Sequence, residues 1–192
     1  MKLAQVCSEM IPNKLKQLWS QGKPTINGWC SIANPFTAKI VAAQGYDSIT
    51  MRSIKSALPM LQVSGVIPMA RVPWMEPGII MKILDAGAYG VICPMVNNAR
   101  QAAEFVSYMR YPPLGQRSFG PTRVSFAAGA DYGAKANKEM LAFAMIETAE
   151  GMANLSSPQR PVSTESMSGP LTSPLGWRKA ASPPASTARS PT

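Results

Sequence analysis

The sequence predicts an α/β protein in which a parallel sheet is covered by helices and followed by a disordered tail. Up to about residue 155, short β-like runs alternate with helical patterns, as in a βα-repeat protein. The β-like runs are apolar throughout, as strands buried on both faces must be. From Ser156 onward Ser, Thr and Pro dominate, apolar periodicity stops and Trp177 is the sole aromatic residue. Such a composition cannot bury enough apolar surface to order itself. The chain therefore divides into residues 1–155, one ordered domain, and residues 156–192, a disordered tail.

Each element has a local cause. An amphipathic helix from Pro12 to Gln21 leads into a strand, INGWCSI, from Ile26 to Ile32. PFTAKIVAAQG is a helix closed by Gly45, where a left-handed cap is wanted. DSITM is the next strand, and SALPMLQVSG a helix ending at Gly65. VIPMARV, EPGIIMKILDAG and YGVICPM follow as strand, helix and strand. NNARQAAEFVSYMR is a helix opened by an Asn cap and stopped by Pro112 and Pro113. A Gly-rich connection leads to a fifth strand, LAFAMIET, and to AEGMANL, the start of a fifth helix.

Composition narrows the chemistry. The 192 residues include no histidine, so neither a Ser-His-Asp triad nor a histidine metal ligand can be built. Cys7, Cys30 and Cys93 are odd in number and far apart, which suggests neither a disulfide framework nor a zinc site and fits a reducing cytoplasm. Glu9 and Pro12 interrupt any signal-peptide core, and no stretch reaches the ~18 apolar residues of a membrane span. The expectation is a cytoplasmic protein without membrane association. The net charge of +9 invites a nucleic-acid partner, but the basic residues are dispersed. Four of them (Arg160, Arg178, Lys179, Arg189) lie in the tail against one acid, Glu165. Without a basic cluster, nucleic-acid binding is not expected.

Two residues stand out. Arg71 ends the third strand and would be costly to bury without an anionic partner. Glu147 ends the fifth strand, and the residues alone leave two readings of it open: a metal-binding carboxylate, or an exposed acid favoured by the dipole of the helix it opens. Trp74, Pro94 and Met95 read as lining of the sheet's carboxyl end or core, and Arg117 and Ser118 as structural or interfacial.

Four motifs occur together: R-V-P-W, D-A-G-A-x-G-V-I-x-P-M-V, R-Y-P-P-x-G-x-R-S and I-E-T. In combination, over nearly all of residues 13–155, they resemble the HpcH/HpaI aldolase family. The resemblance implies a partial TIM (β/α)8-type barrel of about five βα units, short of the about 250 residues such a barrel needs. It also implies a metal-dependent class II pyruvate aldolase, which cleaves 4-hydroxy-2-oxo acids to pyruvate and an aldehyde. Glu147 would then be a ligand of a divalent metal (Mg, Mn or Co), and Arg71 the catalytic and substrate-binding arginine that stabilises the enolate. The implied partners are a small oxo-acid substrate and further copies of the chain.

Two family motifs are absent: D-x-Q-H-G after the second strand, with a histidine for acid-base work, and G-P-[AS]-D-L after the sixth, with a second metal carboxylate. The tail reads as out of frame. With the last base of each codon joined to the first two of the next from Ser157, and synonymous codons allowed, SPQRPVSTESMSGPLTSP can encode A-A-T-P-G-V-D-G-I-Y-V-G-P-A-D-L-S, and Leu171 followed by Thr172 yields the missing aspartate. The same offset over Thr50 to Ile54 contains D-A-Q-H, a shorter match. As written, the chain is expected to be impaired. The alternative is a non-catalytic truncated or frameshifted product without enzymatic function.

Overall fold

The structure is a computed structural model that describes residues 9–32, 34–52, 64–155, 165–168 and 178–179. Within these, β1 (Asn27–Cys30), β2 (Ser48–Met51), β3 (Ile67–Arg71), β4 (Gly90–Cys93) and β5 (Leu141–Ile146) form one parallel sheet in chain order. The helices are α1 (Lys14–Ser20), α2 (Pro35–Ala42), α3 (Pro77–Asp85), α4 (Ala99–Met109), α5 (Thr122–Ala128), α6 (Tyr132–Glu139) and α7 (Ala149–Leu155). Strands in sequence order with helical crossovers give the partial (β/α)8-type barrel.

The caps follow from the sequence. Asn34 Oδ1 accepts from the amides of Phe36 and Thr37, and Pro35 opens α2 where no amide donor is needed. Glu76 does the same for α3, accepting from Gly78 at 2.8 Å and Ile79 at 2.6 Å. Asn98 caps α4 through the Gln101 amide. Gly45, at φ +86°, adopts the left-handed conformation expected of it.

In-register pairing gives the sheet two faces. Arg71, Ile92 and Phe143 are aligned across β3, β4 and β5, as are Ala70, Val91 and Ala142 on the opposite face. All of these but Arg71 are buried, together with Ile80, Ile83 and Leu84 of α3 and Phe105 and Met109 of α4. Each large apolar side chain so buried contributes about 1.5–3 kcal/mol against exposure.

Three expectations differ from the structure or fall outside it. The connection from Gly115 to Met140 is not a loop: it contains α5 and α6, because Val124, Ala128, Tyr132 and Ala136 recur every fourth residue and all four are buried. The helix expected over SALPMLQVSG lies outside the described residues except for Ser64 and Gly65, which form a turn. Within the segment expected to be disordered, Glu165–Ser168 forms β6, parallel to β5, and Arg178–Lys179 forms β7, antiparallel to β6. Unpaired amides and carbonyls along the edge of β5 favour an added extended segment, which offsets the unfavourable composition there. The remainder of residues 156–192 lies outside the described residues.

Residues 9–13 clasp the amino ends of the strands. Ile11 donates to the carbonyl of Ala128 and accepts from the Tyr89 hydroxyl, while Asn13 bonds Glu139 through both its backbone and side chain. The Met10 amide donates to Asp131. Gly129 makes this approach possible: at φ +126°, a Cβ there would lie 2.4 Å from the carbonyl oxygen of Glu9. Among the described residues, no helix is long and apolar enough to cross a membrane.

Candidate active site at the carboxyl ends of the strands

β3 places Arg71 at its last position, and β5 places Glu147 one residue past its end. Two strand spacings separate β3 from β5, roughly 10 Å, and the end of β4 lies between them. The Cys93 thiol there registers both charges. Burial pushes it up to about 12, while the Arg71 guanidinium pulls it down and the Glu147 carboxylate raises it further. A cation and an anion thus flank the end of β4 at the face where βα-barrel chemistry collects.

Arg71 is half-buried, and its one described side-chain hydrogen bond is a long one, 3.5 Å from Nη1 to the Val72 carbonyl. No described carboxylate pairs with it. Its donors are therefore open to an anion at the strand ends. Among the described residues, the burial cost that made this arginine conspicuous is met by partial exposure rather than by an ion pair.

Glu147 is held by backbone. The amide of Met95 donates to Glu147 Oε1 at 3.0 Å. Met95 directs that amide by adopting a left-handed conformation, φ +58°, alone among the described non-glycine residues. The next amide, Val96, returns to the Met145 carbonyl at 3.2 Å, so the turn after β4 is stitched onto the end of β5. Trp74 is 59% exposed and Met95 38% exposed in the turns after β3 and β4, and Pro94 is buried.

Two further side chains join the site. Asn97, two residues after Met95, and Thr148, next to Glu147, are bonded to each other. Neither they nor the Met95 amide carries a sequence signal: a backbone donor is invisible in a list of side chains, and an Asn before a helix reads simply as a cap. Arg117, by contrast, is remote from this face. It is 1% exposed, pairs with Asp85, donates to the Tyr132 hydroxyl and lies over the Tyr111 ring, which gives it a structural role.

The donor chemistry can be set against a metal. Glu147 offers a hard oxygen, suited to Mg²⁺, Mn²⁺ or Co²⁺, and such ions are commonly held by one or two carboxylates plus substrate and water. Among the described residues no group of three or more His, Cys, Asp or Glu gathers to complete a protein cage. Glu147 thus offers one oxygen that would suit such a cation.

A partial parallel α/β barrel with an arginine and a carboxylate at its strand ends defines a class of small-molecule enzymes. The sequence profile of the HpcH/HpaI aldolase/citrate lyase family matches residues 26–158, and the chain belongs to that family. Its relatives include a hydroxypyruvate/pyruvate aldolase of Rhizorhabdus wittichii, 38% identical over 74% of this chain and 61% of the relative. Another is a 4-hydroxy-2-oxo-heptane-1,7-dioate aldolase of Salmonella arizonae, 33% identical over 76% of this chain and 60% of the relative. A family protein from Burkholderia cenocepacia superposes with a TM-score of 0.68 at 26% identity, covering 74% of this chain and 63% of that one. The chain thus spans about six-tenths of the length of these curated relatives.

Proposed function

We propose that this chain carries the pyruvate-binding part of a metal-dependent class II aldolase site, for retro-aldol cleavage of a 4-hydroxy-2-oxo acid to pyruvate and an aldehyde. The observation that carries the reading is the placement of Arg71 and Glu147 on either side of the end of β4. In the cleavage the C3–C4 bond breaks, its electron pair becomes the enolate of pyruvate, the 4-hydroxyl loses a proton to leave an aldehyde, and C3 then gains a proton.

Arg71, planar and permanently charged, binds the oxygens of the oxo acid and compensates the one that becomes an oxyanion. Glu147 is the ligand for the divalent ion, its Oε1 orientation set by the Met95 amide. That ion, when bound, polarises the ketone and stabilises the enolate oxygen.

The chain as written is impaired in this reading. It contains no histidine for the proton transfers, and one protein carboxylate holds a hard cation weakly. Homo-oligomeric assembly and a cytoplasmic location go with the same reading. A second reading, a non-catalytic truncated or frameshifted product, draws on those same two deficits.

The test is metal-dependent pyruvate binding by the full chain, followed by pyruvate release from a 4-hydroxy-2-oxo acid with Mg²⁺, Mn²⁺ or Co²⁺ added. Binding that is lost in Glu147→Gln and Arg71→Met, with turnover near the detection limit, supports the first reading. Absence of any metal-dependent pyruvate binding overturns it in favour of the second.

A further inference from the structure

Asn97 uses every polar group it has. Its amide donates to Gln101 Oε1 at 2.7 Å and its carbonyl accepts from Asn154 Nδ2 at 2.8 Å. Its side-chain oxygen accepts from the Thr148 hydroxyl, and its side-chain nitrogen reaches Glu150 Oε2 at 3.5 Å. Thr148 Oγ1 in turn accepts from the Gly151 amide at 3.0 Å, closing the first turn of α7. The start of α4 and the start of α7 are thereby joined through one asparagine. The join lies two residues after Met95 on one side and one residue after Glu147 on the other.

We infer that Asn97 and Thr148 are positioning residues that hold the Met95 amide on Glu147 Oε1, an inference that rests on the reading of Glu147 as a cation ligand. The argument is mechanical. A methionine in the left-handed region is disfavoured, and the turn leaves that conformation unless its surroundings over-determine it. The surroundings here are the Val96–Met145 backbone bond on one flank and the Asn97–Thr148 join on the other. With both in place, Oε1 is committed to the amide and the carboxylate presents a single orientation at the strand ends. Without the join, the Met95 turn relaxes and Glu147 samples several rotamers. Partners that orient a metal-binding carboxylate through hydrogen bonds typically change metal affinity by 10–100-fold when removed.

The experiment uses the full chain with saturating pyruvate. It reads Mn²⁺ affinity by water-proton relaxation and the exchange rate of the Met95 amide by NMR. Thr148→Val and Asn97→Leu are each expected to weaken Mn²⁺ binding by about tenfold and to speed Met95 amide exchange. Thr148→Ser, which keeps the hydroxyl, restores both. Asn137→Ala, which loosens the loop after α4 by removing bonds to Tyr111 at the opposite end of the sheet, lowers the melting midpoint without moving either readout. If Glu147→Gln weakens Mn²⁺ binding while Thr148→Val and Asn97→Leu do not, the positioning role is overturned and the ligand reading stands. If Glu147→Gln leaves Mn²⁺ affinity unchanged, the ligand reading falls and this inference falls with it.

Discussion

Arg117 and Asp85 meet at 2.7 Å, with the arginine side chain wholly out of water and the aspartate about one-third exposed. Nε and Nη1 of the same guanidinium are buried without a hydrogen-bond partner, so Asp85 carries most of the charge compensation. Removing one member of such a pair strands a buried charge, whereas replacing both with apolar groups of similar volume can be neutral. Asp85→Ala is therefore expected to destabilise the chain by about 3 kcal/mol. The double replacement Asp85→Leu with Arg117→Met is expected to recover most of that loss. Urea titrations of both variants test this, and equal losses would show that Arg117 is not compensated by Asp85.

The left-handed backbone at Met95 predicts an unusual order of tolerance. Glycine adopts φ +58° freely, and a β-branched residue resists it more than methionine does. Met95→Gly should keep metal-dependent pyruvate binding with stability unchanged or raised by up to about 1 kcal/mol. Met95→Val should lose about 1–2 kcal/mol and weaken binding, because the amide no longer reaches Glu147. Melting and pyruvate titration of the two variants separate these outcomes. Better binding by the valine variant would refute the orienting role of the backbone.

Buried proton donors predict a loss of stability in alkali. Burial pushes Cys93 up to about 12, whereas an unfolded thiol ionises near about 8.5. Between those values the unfolded chain has lost a proton that the folded chain retains, so unfolding is increasingly favoured as pH rises. Tyr89 and Tyr111, also raised chiefly by burial, extend the same trend upward. Stability measured by denaturant should fall steadily above pH 9, and Cys93→Ala should flatten the lower part of that fall. Native Cys93 should also resist iodoacetamide at pH 8, since it is buried and fully protonated.

The out-of-frame reading of the tail is tested by the coding DNA. Codons over Ser163 to Thr172 are expected to permit the shifted peptide D-G-I-Y-V-G-P-A-D, and incompatible codons there would dispose of the idea. If the codons agree, a chain expressed in the restored frame gains a second carboxylate. It should bind Mn²⁺ at least tenfold more tightly than the 192-residue chain.

What could be read from the sequence divides along physical lines. The strands were legible because DSITM, VIPMARV and YGVICPM are short apolar runs bounded by turn residues, and β2, β3 and β4 fall inside them. Arg71 and Glu147 were legible as strand-terminal charges, and the roles proposed for them rest on the motifs R-V-P-W and I-E-T. The helices α5 and α6 were hidden by Gly120, Gly129 and Gly133, which read as loop while the four-residue spacing from Val124 to Ala136 carried the opposite message. The strands β6 and β7 were hidden because edge pairing is driven by the neighbouring strand more than by the residues that join it. Position 95 is neither Gly nor Asn, so nothing there advertises its positive φ, and only tertiary bonding reveals it.

The clasp of residues 9–13 has a consequence in time. Asn13 finds Glu139 across 126 residues of chain, and Met10 finds Asp131 across 121. Contacts of such long sequence separation form late, because the loop entropy is repaid only once the intervening strands and helices have assembled. A segment that precedes all of the strands in the chain is thus among the last to settle. Until α5 and α6 exist, its bonds to Ala128, Asp131 and Glu139 cannot form, and of those named above only the Tyr89 contact is open to it.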